Sequence, residues 1–208
     1  LGKKIILIGD QKQLPPIVIT NEDIINRFNW FDIVRGFNTI CCNFPFESCM
    51  LSDTFRMTKR GAECTGVFYN NELQSVSKYQ HVPYNIVDLN LKGGPVLTEM
   101  DMKIGDKNPI NAFEYIYNLT VKILLEKPNA EIAILSKFRE TVRELQKFYT
   151  LRWNGNSYPE NIKIDTIDRV QGLTIHFCFF LIPNTSLRYS LEPELFNVAT
   201  SRAVYNTI

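Results

Sequence analysis

Short apolar runs separated by helix-length stretches constrain this chain more than any other feature. Residues 132–135 (Ile-Ala-Ile-Leu) and 177–182 (Phe-Cys-Phe-Phe-Leu-Ile) carry no polar alternation, so each predicts a strand buried on both faces. Apolar spacing predicts helices over 21–33, 54–70, 111–126, 139–152 and 194–202. Asn21 is placed to cap the first, with Glu22 and Asp23 in its first turn and Ile24, Ile25, Phe28 and Phe31 as its apolar face. Further strands are expected at 49–51, 96–97 and 162–164, and at 204–208, with Gly93-Gly94-Pro95 as a turn. Strands alternating with helices predict an α/β protein, a parallel sheet with helices on both faces.

The first apolar run, Ile5-Ile6-Leu7-Ile8, reads as one more buried strand. It stops at Gly9-Asp10, and the chain then presents Gln13 before Pro15-Pro16, whose fixed φ forbids continuation of helix or ladder. In an open α/β sheet the ends of such strands line the ligand crevice, which aims Asp10 and Gln13 at a site.

A chain of 208 residues is one large domain or two small ones, and 45% hydrophobic with 22% charged residues is the composition of a globular protein. The net charge of +1 advertises no polyanion partner, so any nucleic-acid binding must rest on locally placed Lys and Arg. No apolar run has membrane-spanning length and no signal-peptide pattern is present. The five cysteines, Cys41, Cys42, Cys49, Cys64 and Cys178, fit no zinc spacing and read as reduced residues of an intracellular, cytoplasmic or nuclear protein. No role is assigned to His81 or His176, which show no metal-ligand spacing. The chain opens on Leu rather than Met and both ends read as cut within a fold.

Four stretches taken together carry a family resemblance. Gly9-Asp10-Gln11-Lys12-Gln13-Leu14-Pro15-Pro16 resembles motif III of superfamily 1 helicases. Leu51 to Met57 looks like their Q-Y-R-M motif, with Thr54 for Gln and Phe55 for Tyr. Ile164 to Gly172 is similar to motif V, and Phe196 to Ala203 to motif VI. Phe68-Tyr69-Asn70-Asn71-Glu72-Leu73-Gln74-Ser75 looks like the F-Y-x-x-x-L-x-S segment of the branch resembling RNA-surveillance and replication helicases. The Gln171-Gly172-Leu173-Thr174 wording leans toward RecD-like ones. The resemblance implies a RecA-like P-loop NTPase fold, with residues 1–46 completing a first lobe and 47–208 forming the second.

It also implies an ATP-dependent helicase that moves on single-stranded DNA or RNA and uses ATP and Mg2+. Arg56 and Arg202 would be arginine fingers, because a planar, always charged fork suits the charge that moves during phosphoryl transfer. Gln13 would sense the γ-phosphate or hold the attacking water, and Asp10, Gln171 and Gly172 would complete the ATP side. Thr166, Ser136 and Arg139 would hold nucleic-acid phosphates, Ser136 together with the first amides of its helix. Arg139, Arg143 and Lys147 fall four apart on one helix face, with Glu140 and Glu144 nearby. Phe138, Trp153 and Tyr158 are candidates to stack bases, with packing roles as the default. Relatives in the F-Y-x-x-x-L-x-S branch usually move 5′ to 3′, which is the polarity the resemblance implies.

Two departures matter. Thr174 stands where many relatives carry a Glu that touches the nucleotide sugar. No G-x-x-x-x-G-K-[ST] phosphate loop occurs anywhere in the sequence, and in the family order it and the acidic Mg2+-binding strand end would lie upstream of Leu1. The segment alone is therefore expected to be inactive. A rival reading remains: a non-motor module derived from a helicase lobe that binds nucleic acid or a protein partner.

Overall fold

The computed structural model describes residues 6, 8–15, 18–30, 47, 49–86, 88–153, 155, 157–185 and 187–208. The chain forms two compact units, Leu1–Leu51 and Ser52–Ile208. In the first, Asn21 caps helix α1 (Glu22–Phe28), its side chain accepting from the Asp23 amide at 2.8 Å. The helix ends well before residue 33. Asn29 takes the left-handed conformation (φ 51°), and the Trp30 amide reaches back to the Ile25 carbonyl at 3.0 Å, a Schellman closure that Asn tolerates better than most residues. Of the expected apolar face only Ile25 is buried, Ile24 and Phe28 being exposed; Phe31 lies outside the described residues, as do Cys41 and Cys42.

Of the expected opening strand, Ile5 and Leu7 lie outside the described residues. Ile6 and Ile8 are 85% and 90% exposed and belong to no strand. A strand apolar on both faces needs ladder partners and a cover, and neither residue has them among the described residues.

The second unit is built on a five-stranded, all-parallel sheet of order β3-β7-β6-β4-β5. Its strands are β3 (Gly94–Pro95), β4 (Ile132–Ser136), β5 (Ile162–Thr166), β6 (Ile175–Leu181) and β7 (Ala203–Thr207). A two-stranded parallel pair, β1 (Asp53–Thr54) with β2 (Gln74–Ser75), stands apart from it. The helices are α2 (Lys59–Gly66), α3 (Ile110–Glu126), α4 (Arg139–Arg152), α5 (Leu187–Ser190) and α6 (Pro193–Thr200).

β4 lies between β5 and β6, with Ile132 opposite both Ile162 and Phe177, and Ser136 opposite both Thr166 and Leu181. Alternation sends Ile132, Ile134, Ile162, Ile164, Phe177 and Phe179 to one face. There they share a core with Phe113, Ile116, Leu119 and Ile123 of α3 and with Val142, Leu145 and Tyr149 of α4. The other face takes α6: the Cys178 thiol donates to the Ala199 carbonyl at 3.5 Å, and the rings of Phe180 and Phe196 lie 6.1 Å apart. Each large side chain buried this way contributes about 1.5–3 kcal/mol. This is the parallel sheet with helices on both faces that the alternation of runs implies.

Several boundaries differ from expectation, each for a local reason. Residues 49–51 are irregular, Leu51 is exposed, and the strand falls instead at β1. The helix expected from 54 begins at Lys59, because the buried Thr58 caps it by accepting from the Gly61 amide at 3.2 Å. It gives way to a 3-10 turn, Val67–Tyr69, rather than running to residue 70 as α-helix. Residues 194–202 form helix only to Thr200, after which Ser201 and Arg202 lead directly into β7. The Gly93-Gly94-Pro95 stretch is more than a turn, for Gly94 pairs with Asn206 and Pro95 with Thr207. Pro95 is allowed because β3 is an edge strand with a ladder on one side. The expected strand at 96–97 is thus displaced, although the Val96 amide still reaches the Thr207 carbonyl. No helix of the described residues is long and apolar enough to cross a membrane.

Gly93 is required where α2 meets the sheet edge. Its φ is +73°, and an added Cβ would lie 2.5 Å from Thr58 Oγ1 and 2.8 Å from the Tyr205 carbonyl oxygen. Gly93→Ala should lower stability by about 3 kcal/mol, combining the left-handed penalty with the clash. Gly105, at φ +83° with nothing within 4 Å of an added Cβ, should lose only about 1 kcal/mol on the same change. Urea unfolding of both variants checks the contrast.

His176 supplies a pH test. Its Nδ1 accepts from the Glu131 amide at 2.9 Å and its ring stacks on Tyr205 at 5.9 Å. Burial first, then the Lys127 charge, lowers its pKa below the ordinary histidine value, against the pull of Glu131. The neutral ring is the folded form, so its contribution is intact above pH 6.5 and is lost as pH falls through that value toward the folded pKa. The urea midpoint should therefore drop between pH 7 and pH 5, and less so in His176→Asn, whose amide oxygen can accept the same bond.

Candidate functional site

Arg56 is held from both sides. Its backbone follows β1 and is pinned by the neighbouring segment: the Ser75 hydroxyl donates to the Met57 carbonyl at 2.7 Å and the Ser77 hydroxyl to the Arg56 carbonyl at 3.4 Å. Its guanidinium crosses to the sheet, where Nε donates to Thr174 Oγ1 and Nη1 to the Ser201 carbonyl, both at 2.9 Å. Arg56 makes no ion pair among the described residues, and its Nη2 has no partner among them. Burial lowers its pKa from the usual arginine value, yet a guanidinium this basic stays charged. The result is a part-buried cation bonded, among the described residues, only to neutral oxygens, with three of its five N–H groups unspent.

Arg202 lies beside this cluster and is only 2% exposed. Its Nε donates to the Val198 carbonyl and its Nη2 to Ser201 Oγ, each at 3.0 Å, so the side chain folds back on the end of α6. Its charge is felt by Cys178, whose thiol burial pushes up to about 12 while Arg202 pulls the other way. That thiol is no nucleophile at neutral pH.

The segment carrying Phe68 to Ser75 has a role that its resemblance did not reveal. Asn197 Nδ2 on α6 donates to the Tyr69 hydroxyl at 2.9 Å, and Phe68 packs against Phe196 with ring centres 6.5 Å apart. One end of the segment thus steadies the helix leading to Arg202 while the other, through Ser75, steadies Arg56. Phe55 presents a 76% exposed ring next to Arg56, a surface on which a planar group can stack.

The other expected residues fall into separate places. In the first unit Asp10 closes its own loop: Oδ2 accepts from Gln13 Nε2 at 2.7 Å and Oδ1 from the Lys12 amide at 2.9 Å. In the second unit Ser136 and Thr166 are register partners at the ends of β4 and β5. Thr174 and Arg202, by contrast, immediately precede β6 and β7. Because all strands are parallel, the two pairs lie at opposite ends of the sheet. Gln171 and Gly172 sit on the connection between them, exposed, with Gly172 at φ +86°.

Ser136 is wholly buried and its Oγ has no hydrogen-bond partner among the described residues. Arg139 opens α4 and is exposed; Lys147 on the same face is paired with Glu144 at 2.7 Å. Trp153 and Tyr158 pack against the core beside Tyr149, ring centres 5.6 and 5.9 Å away, which removes both as base-stacking candidates. No group of three or more His, Cys, Asp or Glu side chains able to hold a metal ion occurs among the described residues.

The five-stranded parallel sheet with helices on both faces matches a RecA-like, P-loop NTPase type of fold. Comparison with known proteins agrees with that class. The chain is 24% identical over 217 residues to Helicase sen1 of Schizosaccharomyces pombe, covering 97% of this chain and 13% of that protein. It is 24% identical over 186 residues to the uncharacterized ATP-dependent helicase MJ0104 of Methanocaldococcus jannaschii, covering 82% of this chain and 26% of that protein. No protein-family model matches. The chain thus spans about a quarter or less of the curated relatives it matches, both of them helicases, consistent with a segment of a superfamily 1 helicase.

The orphaned hydroxyl of Ser136 generates a prediction. Ser136→Ala removes a buried polar group that has no partner among the described residues, so stability should rise, by up to about 1 kcal/mol. Thr174→Val removes an acceptor from a charged donor at a partly exposed site and should cost about 1 kcal/mol. Urea unfolding of the two variants should therefore show shifts of opposite sign.

Proposed function

We propose that this chain is the arginine-bearing lobe of an ATP-driven motor that moves on single-stranded nucleic acid. The observation that carries the reading is Arg56: a part-buried cation with no carboxylate partner and three N–H groups unspent among the described residues. Breaking even with the cost of burying such a charge calls for an anion, and a transferring phosphoryl group is the anion its fork fits. Arg202 acts beside it. To reach a triphosphate its fork leaves Val198 and Ser201 Oγ, a rotamer change of the kind that lobe closure drives. Gln13, held by Asp10, reads the γ-phosphate from the first lobe, and Gln171 with Gly172 borders the nucleotide.

Hydrolysis moves the γ-phosphoryl group of ATP to water, with ADP as the leaving group. The arginines stabilise charge on its oxygens, and Gln13 orients the water or reports its departure. In this reading the phosphate loop and the Mg2+ ligands are supplied by residues other than these 208. Ser136, Thr166 and Arg139 hold phosphates of the strand. The connection from Thr166 to Thr174 runs from that end of the sheet to the arginine end, a span of roughly 17 Å for a five-residue strand, and it passes the state of one site to the other.

One observation favours a second reading, a strand- or protein-binding module without a motor: Arg202 is buried with Nε and Nη2 engaged on its own helix end. The two readings separate in one experiment. Strand-stimulated ATP turnover of the full-length protein should fall roughly a thousandfold in Arg56→Ala and in Arg202→Ala, with KM changed little. The 208-residue segment alone should show no stimulated turnover. Near-normal turnover in both variants contradicts the finger roles, and strand binding by the full-length protein with no hydrolysis at all supports the module.

A further inference from the structure

Where β4 ends, the chain places Lys137 and Phe138 directly after the buried, unpartnered Ser136 Oγ. The Phe138 ring meets Tyr189 of α5, ring centres 6.1 Å apart at 46°. Tyr189 is nevertheless 47% exposed. Lys137 Nζ lies 4.6 Å from the centre of the Tyr189 ring, and Lys107 Nζ lies 6.0 Å from that of Phe138. Lys107 is shared with Glu140 at 3.2 Å, whereas Lys137, Arg139 and Arg188 make no ion pair among the described residues.

We infer that Phe138 and Tyr189 form a platform on which one base of a single strand stacks, with Lys137 holding the adjoining phosphate. The inference rests on the nucleic-acid reading above and deepens it by naming a residue, Tyr189, that no motif marks. An exposed aromatic side chain with a lysine ammonium over its ring, which a base can displace toward the adjoining phosphate, is the composition that grips single strands irrespective of sequence, because every base has a π-face and every linkage a charge. A duplex is excluded by the chemistry, since its bases are already stacked on one another.

The test uses the full-length protein and fluorescein-labelled strands of deoxythymidine and of uridine, about 15 nucleotides long to exceed one binding site, with an abasic strand of equal length. Binding is read by anisotropy at two salt concentrations. Tyr189→Ala should weaken both base-bearing strands about tenfold and leave the abasic strand unchanged. Tyr189→Phe should restore binding. Lys137→Ala should weaken all three strands and reduce the salt slope by about one. Normal strand affinity in Tyr189→Ala overturns the platform while the nucleic-acid reading stands. Equal loss on the abasic strand overturns base stacking. Poly-glutamate should bind Tyr189→Ala as well as the unaltered protein, and an equal loss there would make this a surface for acidic peptide, overturning the proposal. Failure of the unaltered protein to bind any strand sinks the nucleic-acid reading itself and the platform with it.

Discussion

All five strands of the main sheet run the same way, and that constraint sorts the residues that matter. Whatever immediately precedes a strand is delivered to one end of the sheet, and whatever closes a strand is delivered to the other. Thr174 and Arg202 precede β6 and β7; Ser136 and Thr166 close β4 and β5. The ladder itself is held by β4, whose residues are buried on both faces and paired on both edges. Removing that strand would detach β5 from the sheet, because no other element among the described residues pairs with both β5 and β6.

Arg56 adds a long-range tie. It reaches Thr174 and Ser201 from far earlier in the chain, and so joins the β1–β2 pair to the starts of the central strands. The support is layered. Ser75 and Ser77 fix its backbone, Tyr69 steadies α6 through Asn197, and α6 delivers Ser201. Hydrogen bonds from a charged donor are worth more than neutral ones, and this guanidinium pairs with no carboxylate among the described residues.

Much of the architecture was legible in the sequence. Residues 139–152 form α4 as the spacing predicts, and the apolar runs at 132–135 and 177–182 fall in β4 and β6. Such runs read well because burial on both faces leaves no polar alternation to confuse the period. What was illegible depended on partners distant in sequence. Pro95 reads as a turn until Thr207 is known to lie beside it. Thr174 reads as a missing carboxylate, whereas in the fold its hydroxyl accepts from Arg56. Trp153 and Tyr158 have the chemistry of stacking residues, and only the fold shows that Trp153 stacks on Tyr149 and that Tyr158 meets it edge-on. Tyr189 carries no motif at all, and its exposure beside Lys137 is a product of tertiary structure.

If the unspent donors of Arg56 are meant for a terminal phosphate, they must distinguish a triphosphate from a diphosphate. The most direct measurement is a titration of the full-length protein and its Arg56→Ala variant with a non-hydrolysable ATP analogue and with ADP. The variant should lose affinity for the triphosphate analogue while keeping its affinity for ADP, so that discrimination between the two collapses. Unchanged discrimination in the variant, or equal loss for both nucleotides, would contradict that role.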